Sequence, residues 1–243
     1  MKPQVGVASV VTLLCLSPSW ADQEAIANYA ETRREHFYAL YFDASARDRT
    51  EIYCGIRFDV EERAGGGYKG PEWLSLEHAF PAQWMANSLG CPNRKVCPED
   101  PVVGVRFDHA EADMHNLWPA VGKLNSSRGQ KPFGEIEGET PKGIDIWGST
   151  FTCDFENDGS IIEPRKIVRG NLARSIFYMC KEYGFPIPRG MMSVLRKWNR
   201  EDPPTRAERR RADRIAEVQG TRNSFIDDPT LGDTVRCRSA DWF

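Results

Sequence analysis

The sequence predicts an α+β fold in a single domain, with more helix than strand. Three observations lead there. Apolar residues recur at helical spacing over 165–183, 191–198 and 205–220. Shorter stretches with strand character, 51–58, 73–80 and 144–155, alternate with turns that carry glycine and proline. Neither an internal repeat nor a low-complexity tract interrupts residues 22–243, a length suited to one sizeable core.

Taken in order, residues 1–21 read as a secretory signal. Lys2 precedes an apolar run from Val5 to Leu16, and Ser19-Trp20-Ala21 offers small residues to a peptidase, so the mature chain is expected to start at Asp22. Beyond it, nothing approaches the ~18 consecutive apolar residues of a membrane span, which predicts a soluble mature protein. Ala25, Ile26, Tyr29, Ala30, Phe37, Leu40 and Tyr41 mark an opening amphipathic helix over 22–42. Residues 51–58 read as a strand, Gly65-Gly66-Gly67 as a turn and 73–80 as the next extended segment. Met114, Leu117, Val121 and Leu124 have helical spacing, bent or interrupted at Pro119, and 126–134 reads as a loop. Residues 144–155 read as a strand or hairpin. The clearest helix is 165–183, with Pro164 at its start and Gly184 at its end. A short helix over 191–198 stops before Pro203-Pro204, and Thr205 with Glu208 has capping-box spacing for a last helix ending near Gly220.

With Cys15 inside the discarded segment, Cys54, Cys91, Cys97, Cys153, Cys180 and Cys237 form an even set in a chain bound for an oxidising compartment. That favours three disulfides over metal ligation, and no CxxC pair argues for zinc. Of the ~15 connectivities open to six cysteines, only Cys91–Cys97 suggests itself locally. Charge is distributed unevenly: residues 22–162 hold 14 Lys/Arg against 24 Asp/Glu, and residues 163–214 hold 14 against 6. An acidic part joined to a basic part suits a metal site facing a polyanion, and suits equally a helical region with solvated arginines.

Glu77-His78 sits in the apolar run Ser-Leu-Glu-His-Ala-Phe-Pro. In an extended segment adjacent side chains point to opposite faces, so the pair can serve two centres, a carboxylate for a cation and an imidazole for a water; taken alone it equally fits an exposed Glu77 beside a hydrogen-bonded core His78. His109 and His115 do not make a zinc motif, since neither HExxH nor its inverted form occurs.

Downstream runs Asp113-Met114-His115-Asn116-Leu117-Trp118-Pro119-Ala120-Val121-Gly122-Lys123-Leu124-Asn125-Ser126-Ser127-Arg128-Gly129. With Glu-His-Ala-Phe-Pro upstream, this resembles the bacterial endonuclease I family of periplasmic and secreted nucleases. The likeness extends to Asn28-Tyr29, Tyr53-Cys54-Gly55, Phe177-Tyr178-Met179, Arg214-Ile215-Ala216 and Val218-Gln219-Gly220. The resemblance implies a ββα-metal motif within the α+β domain, with metal on Glu77 and Asn125, His78 as general base, Arg94 on the phosphate and Glu111 as an acid near the site. It further implies Mg2+, with Mn2+ or Ca2+ as alternatives, and 5′-phosphate and 3′-hydroxyl products. Two hard oxygen ligands leave a Mg2+ ion room for waters and a phosphate oxygen. His115 and Asn116 are expected to position their segment.

For substrate contact, Arg128 and the arginine-rich stretch 206–214, chiefly Arg209, Arg210 and Arg214, are the candidates, and Arg222 follows near a segment that matches the family. Contacts to phosphates carry no base information and imply weak sequence selectivity. The expected partner is DNA or RNA, with no membrane contact and a monomeric state. Relatives often carry a cysteine where Ile56 stands, so the family's disulfides do not transfer directly. Two other classes remain: a noncatalytic nucleic-acid-binding or uptake protein, against which the complete set Glu77, His78 and Asn125 speaks, and a disulfide-stapled export protein with no nucleic-acid role.

Overall fold

The computed structural model describes residues 23–138, 142–146 and 148–241; the expected signal, 1–21, lies outside them. The domain is α+β. Its opening helix is shorter than predicted and is broken: Asn28 caps the first turn, its Oδ1 accepting from Glu31 N, so α1 starts at Tyr29 (Tyr29–Glu31). A π turn (Thr32–His36) follows, with Phe37 N bonded to Thr32 O, and α2 (Ala39–Phe42) completes the segment. Residues 51–58 are a turn, not the expected strand. The Glu51 carboxylate accepts from the amides of Tyr53, Cys54 and Ile56, which closes the chain on itself, and Gly55 takes φ +73°. Gly65-Gly66-Gly67 links the small hairpin β1 (Glu61–Glu62) and β2 (Tyr68–Lys69), as predicted.

The central unit is β3 (Leu74–His78), α3 (Ala82–Ser88), α4 (Gly104–Ala112), β4 (Leu117–Val121) and α5 (Gly122–Arg128). Residues 117–121 are thus a strand, where apolar spacing predicted a bent helix. Asp113 accepts from His115 N and turns the chain out of α4, and β4 pairs with β3 alone, an arrangement in which a strand proline is tolerated. The Pro119 carbonyl takes the Ile52 amide at 2.7 Å. The expected loop at 126–134 is helical up to Arg128. The antiparallel register, Leu76 opposite Pro119, Glu77 opposite Trp118 and His78 opposite Leu117, fixes which side chains share a face. Leu74, Leu76 and Leu117 join Phe37, Tyr41, Phe58 and Ile215 in one core cluster. Trp118 and Ala120 join the larger cluster of Phe80, Trp84, Phe177 and Tyr178 on the other face. The strand pair therefore separates two cores, with Glu77 on the side of the larger one and His78 on the side of the smaller.

The rest of the chain braces this unit. β5 (Lys142–Ile146) and β6 (Ser149–Cys153) form a hairpin, one of the two forms expected over 144–155, followed by the pair β7 (Glu156–Asn157) and β8 (Ile162–Glu163). The long helix opens as a 3-10 turn (Lys166–Val168) before α6 (Arg169–Tyr183), which ends on Gly184 in the left-handed region. Nearly every side chain of α6 is buried, so its polar ones need partners: Arg174 forms a two-pronged pair with Glu208 at 2.7 and 2.6 Å. Gly170 lies so close to Asp202 O that a Cβ would stand 1.9 Å from it. β9 (Ile187–Pro188), α7 (Met191–Glu201) and α8 (Arg206–Gln219) follow; Thr205 caps α8 through Glu208 N, while the Glu208 carboxylate turns to Arg174 and the reciprocal half of the capping box is absent. Two further turns, α9 (Ser224–Asp227) and α10 (Leu231–Thr234), and β10 (Ser239–Ala240) lie beyond the helix expected to be last.

Cys91–Cys97 is formed as predicted, and the other bonds are Cys54–Cys153 and Cys180–Cys237. With separations of 99 and 57 residues, the two long closures contribute about 4–5 kcal/mol each in the chain-entropy model.

Candidate active site

β3, β4 and α5 form a strand–strand–helix unit whose open side is a cleft of 380 Å³ lined by Tyr29, Glu77, His78, Arg94 and Asn125, among others. The predicted set is brought together from four elements. His78 Nε2 lies 3.0 Å from the Glu111 backbone oxygen. A carbonyl only accepts, so Nε2 carries the hydrogen and Nδ1 is left with a free lone pair. Burial, aided by Arg94 and Arg128, drives the His78 pKa down to about 3, against a weaker upward pull from the Glu111 carbonyl. The imidazole is thus neutral, with one nitrogen fixed and the other carrying a free lone pair. The Tyr29 ring packs against it at 5.0 Å, and burial raises the Tyr29 phenol to about 12.

Glu77 is 1% exposed, and burial raises its carboxyl pKa while Arg128 and the nearby Tyr53 hydroxyl pull it back. Arg128 is as buried as its partner. Its Nη1 donates to Glu77 Oε1 and to His78 O at 2.8 Å, Nη2 to Ala79 O at 2.8 Å and Nε to Lys131 O at 3.1 Å, over the Phe133 ring. Arg128, expected to contact substrate, lines the cleft, but its guanidinium is largely spent on Glu77, the carbonyls of His78 and Ala79, and Lys131 O, which fix the segment that carries Glu77-His78. Asn125 is set with equal care. Its Nδ2 donates to Ser75 Oγ and to Leu76 O, both at 2.9 Å. A carbonyl partner fixes which end is nitrogen, and Oδ1 is left without a donor among the described residues. Arg94, half exposed on the loop closed by Cys91–Cys97, pairs with Glu111 at 2.9 Å; burial raises the Glu111 carboxyl and Arg94 opposes the rise.

The remaining substrate candidates are not brought to the cleft. Arg209 donates to Ile226 O and Arg214 to Leu40 O, Arg210 pairs with Asp48, and Arg222 bridges Asp213 and Asp227. These arginines brace α8 against its neighbours, because a helix packed on several elements meets many uncapped carbonyls and acids. His115 and Asn116 hold their segment as expected: His115 Nε2 donates to Thr221 O, and Asn116 bonds both N and O of Phe80, just after β3. Tyr29 was not singled out as a site residue. Asn28 before it signals a helix start, but nothing in sequence links that start to a strand some fifty positions on.

A neutral imidazole with a free nitrogen, a carboxylate, a carboxamide oxygen and an arginine in one open cleft are the parts that hydrolysis of a phosphodiester requires. Residues 34–230 match the family model described as Endonuclease I. An extracellular deoxyribonuclease of Aeromonas hydrophila is 32% identical over 76% of this chain and 87% of its own length, and a periplasmic deoxyribonuclease of the same organism is 32% identical over 72% and 77%. An extracellular ribonuclease of Bacillus amyloliquefaciens is 36% identical over 51% of this chain and 46% of its own length. The chain belongs to the endonuclease I family.

Proposed function

We propose that this protein is an exported, sequence-nonspecific, metal-dependent endonuclease that cleaves DNA, and RNA as a second substrate, to 5′-phosphate and 3′-hydroxyl ends. The observation that carries the reading is the 3.0 Å contact of His78 Nε2 with the Glu111 carbonyl, which spends Nε2–H and leaves the Nδ1 lone pair free in the cleft to take a proton from water. The donor set fits a hard divalent cation such as Mg2+, with Mn2+ and Ca2+ as alternatives. Asn125 Oδ1 lacks a donor, and the Glu77 carboxylate retains acceptor capacity beyond its bond to Arg128. Glu77 and Asn125 would hold the ion, which when bound supplies positive charge to the phosphate and to the departing oxygen. His78 Nδ1 takes a proton from the attacking water as that oxygen bonds to phosphorus and the P–O3′ bond breaks, the pair of electrons leaving with O3′, which takes a proton from solvent to give the 3′-hydroxyl. Arg94, anchored by Glu111, holds non-bridging phosphate oxygens.

Export is supported by three disulfides, by the names of the Aeromonas relatives and by the expected signal. The purified oxidised protein should nick supercoiled plasmid with Mg2+, stop on chelation, and lose about 10²–10⁴-fold in rate in His78→Ala with its fold intact by circular dichroism. Full activity in that variant would remove His78 as the base. Parallel assays on single-stranded DNA and RNA address the second substrate, favoured by the ribonuclease named among the relatives.

A further inference from the structure

A second cavity, of 340 Å³, opens between α2, the turn that follows it and the first turns of α6 and α8. Its size is that of a small-molecule site. We propose that this cavity binds a nucleoside 5′-monophosphate, free or as the 5′-phosphorylated end of a cut strand. The wall offers an amide for the base edge and arginines for the phosphate of such a ligand.

Tyr41 and Trp118 line the inner wall, buried at 5% and 6% exposure, with the Arg211 guanidinium 4.1 Å over the Trp118 ring. Asn171 is 9% exposed, faces this cavity, and its carboxamide has no hydrogen-bond partner among the described residues. Its amide is open to the cavity, and a base edge, which offers donors and acceptors side by side, would pair with it. The lining carries five arginines against three acids. Arg47 is exposed with no partner among the described residues, and Arg210, at the same rim, pairs with Asp48. Two planar guanidiniums at one mouth suit the terminal phosphate, which presents several oxygens together. The site would also be felt in the cleft, because Trp118 pairs across the strands with Glu77. That the ligand is the enzyme's own product rests on the function proposed above; the binding itself does not.

The test is calorimetric titration of the whole oxidised protein with thymidine 5′-monophosphate in chelator, which separates binding from turnover. Thymidine and inorganic phosphate each supply half of the ligand and should bind at least tenfold more weakly. The Arg47→Glu/Arg210→Glu double variant should lose at least tenfold in affinity and keep its plasmid-nicking rate in nucleotide-free buffer, while Arg94→Ala should bind the nucleotide as before. Should the double variant fail to fold, Arg47→Ala alone carries the comparison, with a smaller loss expected. A 5′-phosphorylated dinucleotide that binds at least as tightly identifies the strand end, and a weaker one the free mononucleotide. Absence of saturable binding overturns the proposal. So does affinity unchanged by loss of the rim charges, or affinity lost in Arg94→Ala, which would place the nucleotide in the catalytic cleft. Failure of the nicking assay bears on the proposed function and leaves this titration interpretable.

Discussion

Individual side chains in the cleft are held by bonds that leave little freedom in what can replace them. Arg128 and Glu77 form a buried pair in which each is the other's compensation, so Arg128→Ala is expected to destabilise the protein by about 3–5 kcal/mol in urea unfolding, the cost of stranding a buried carboxylate. Asn125 has both amide hydrogens aimed at acceptors. In Asn125→Asp an oxygen would face the Leu76 carbonyl, so this near-isosteric change is expected to abolish metal-stimulated nicking in spite of its added charge. Tyr29 covers the imidazole that the Glu111 carbonyl orients. Tyr29→Phe retains that ring and should keep kcat within about threefold, whereas Tyr29→Ala should lower kcat by on the order of tenfold, since mispositioning is costly in rate. A steady-state comparison of the two variants reads the difference.

At the level of elements, the short closure Cys91–Cys97 carries Arg94 on its loop. Replacing both cysteines by serine should cost about 2 kcal/mol by the chain-entropy model and raise KM for plasmid more than it lowers kcat, because what loosens is the residue that holds the phosphate. The sequence made some elements legible and concealed others for identifiable reasons. α6 and α8 were readable because a long amphipathic stripe with Gly184 or Thr205 at an end is a local signal. That Glu77, His78 and Asn125 meet in one cleft was legible from their motif, and strand alternation anticipated that the first two would face opposite ways. β4 was not readable: Met114, Leu117, Val121 and Leu124 mimic a helical stripe, and what makes 117–121 a strand is β3, some forty residues upstream. The turn at Glu51 was hidden for a similar reason, since β-prone Ile52, Tyr53 and Ile56 yield to a carboxylate that binds their backbone.

Across the whole molecule, the basic excess of 163–214 is largely consumed by internal work. Arg169 pairs with Glu163, Arg174 with Glu208 and Arg200 with Asp233, while Arg196 and Arg209 bind backbone carbonyls. Composition registered the charges but not their partners, so the attraction for a polyanion rests on fewer cations than the count suggested. Two buried histidines set the response of stability to acid. Burial lowers the pKa of both His78, to about 3, and His115, so the unfolded chain binds more protons than the native one below the ordinary histidine value near ~6.5. Their contribution is full above that value and declines as pH falls towards the folded pKa, by up to about 1.4 kcal/mol per pH unit per histidine. Urea midpoints at pH 7.5 and 5 should therefore differ, with the lower midpoint at pH 5, and His115→Gln should narrow the gap. The raised carboxyls of Glu77 and Glu111 act in the opposite sense, through protons that the native state takes up first. Finally, the disulfide map imposes a timetable on biogenesis. A chain threaded through a membrane amino end first presents Cys54 long before Cys153, and Cys91 and Cys97 emerge in between as nearer, incorrect partners. Their closeness to each other favours early mutual capture, which removes them from competition, but Cys54 must still wait or be reshuffled. Yield of active enzyme thus becomes a matter of order of arrival and of access to a thiol isomerase.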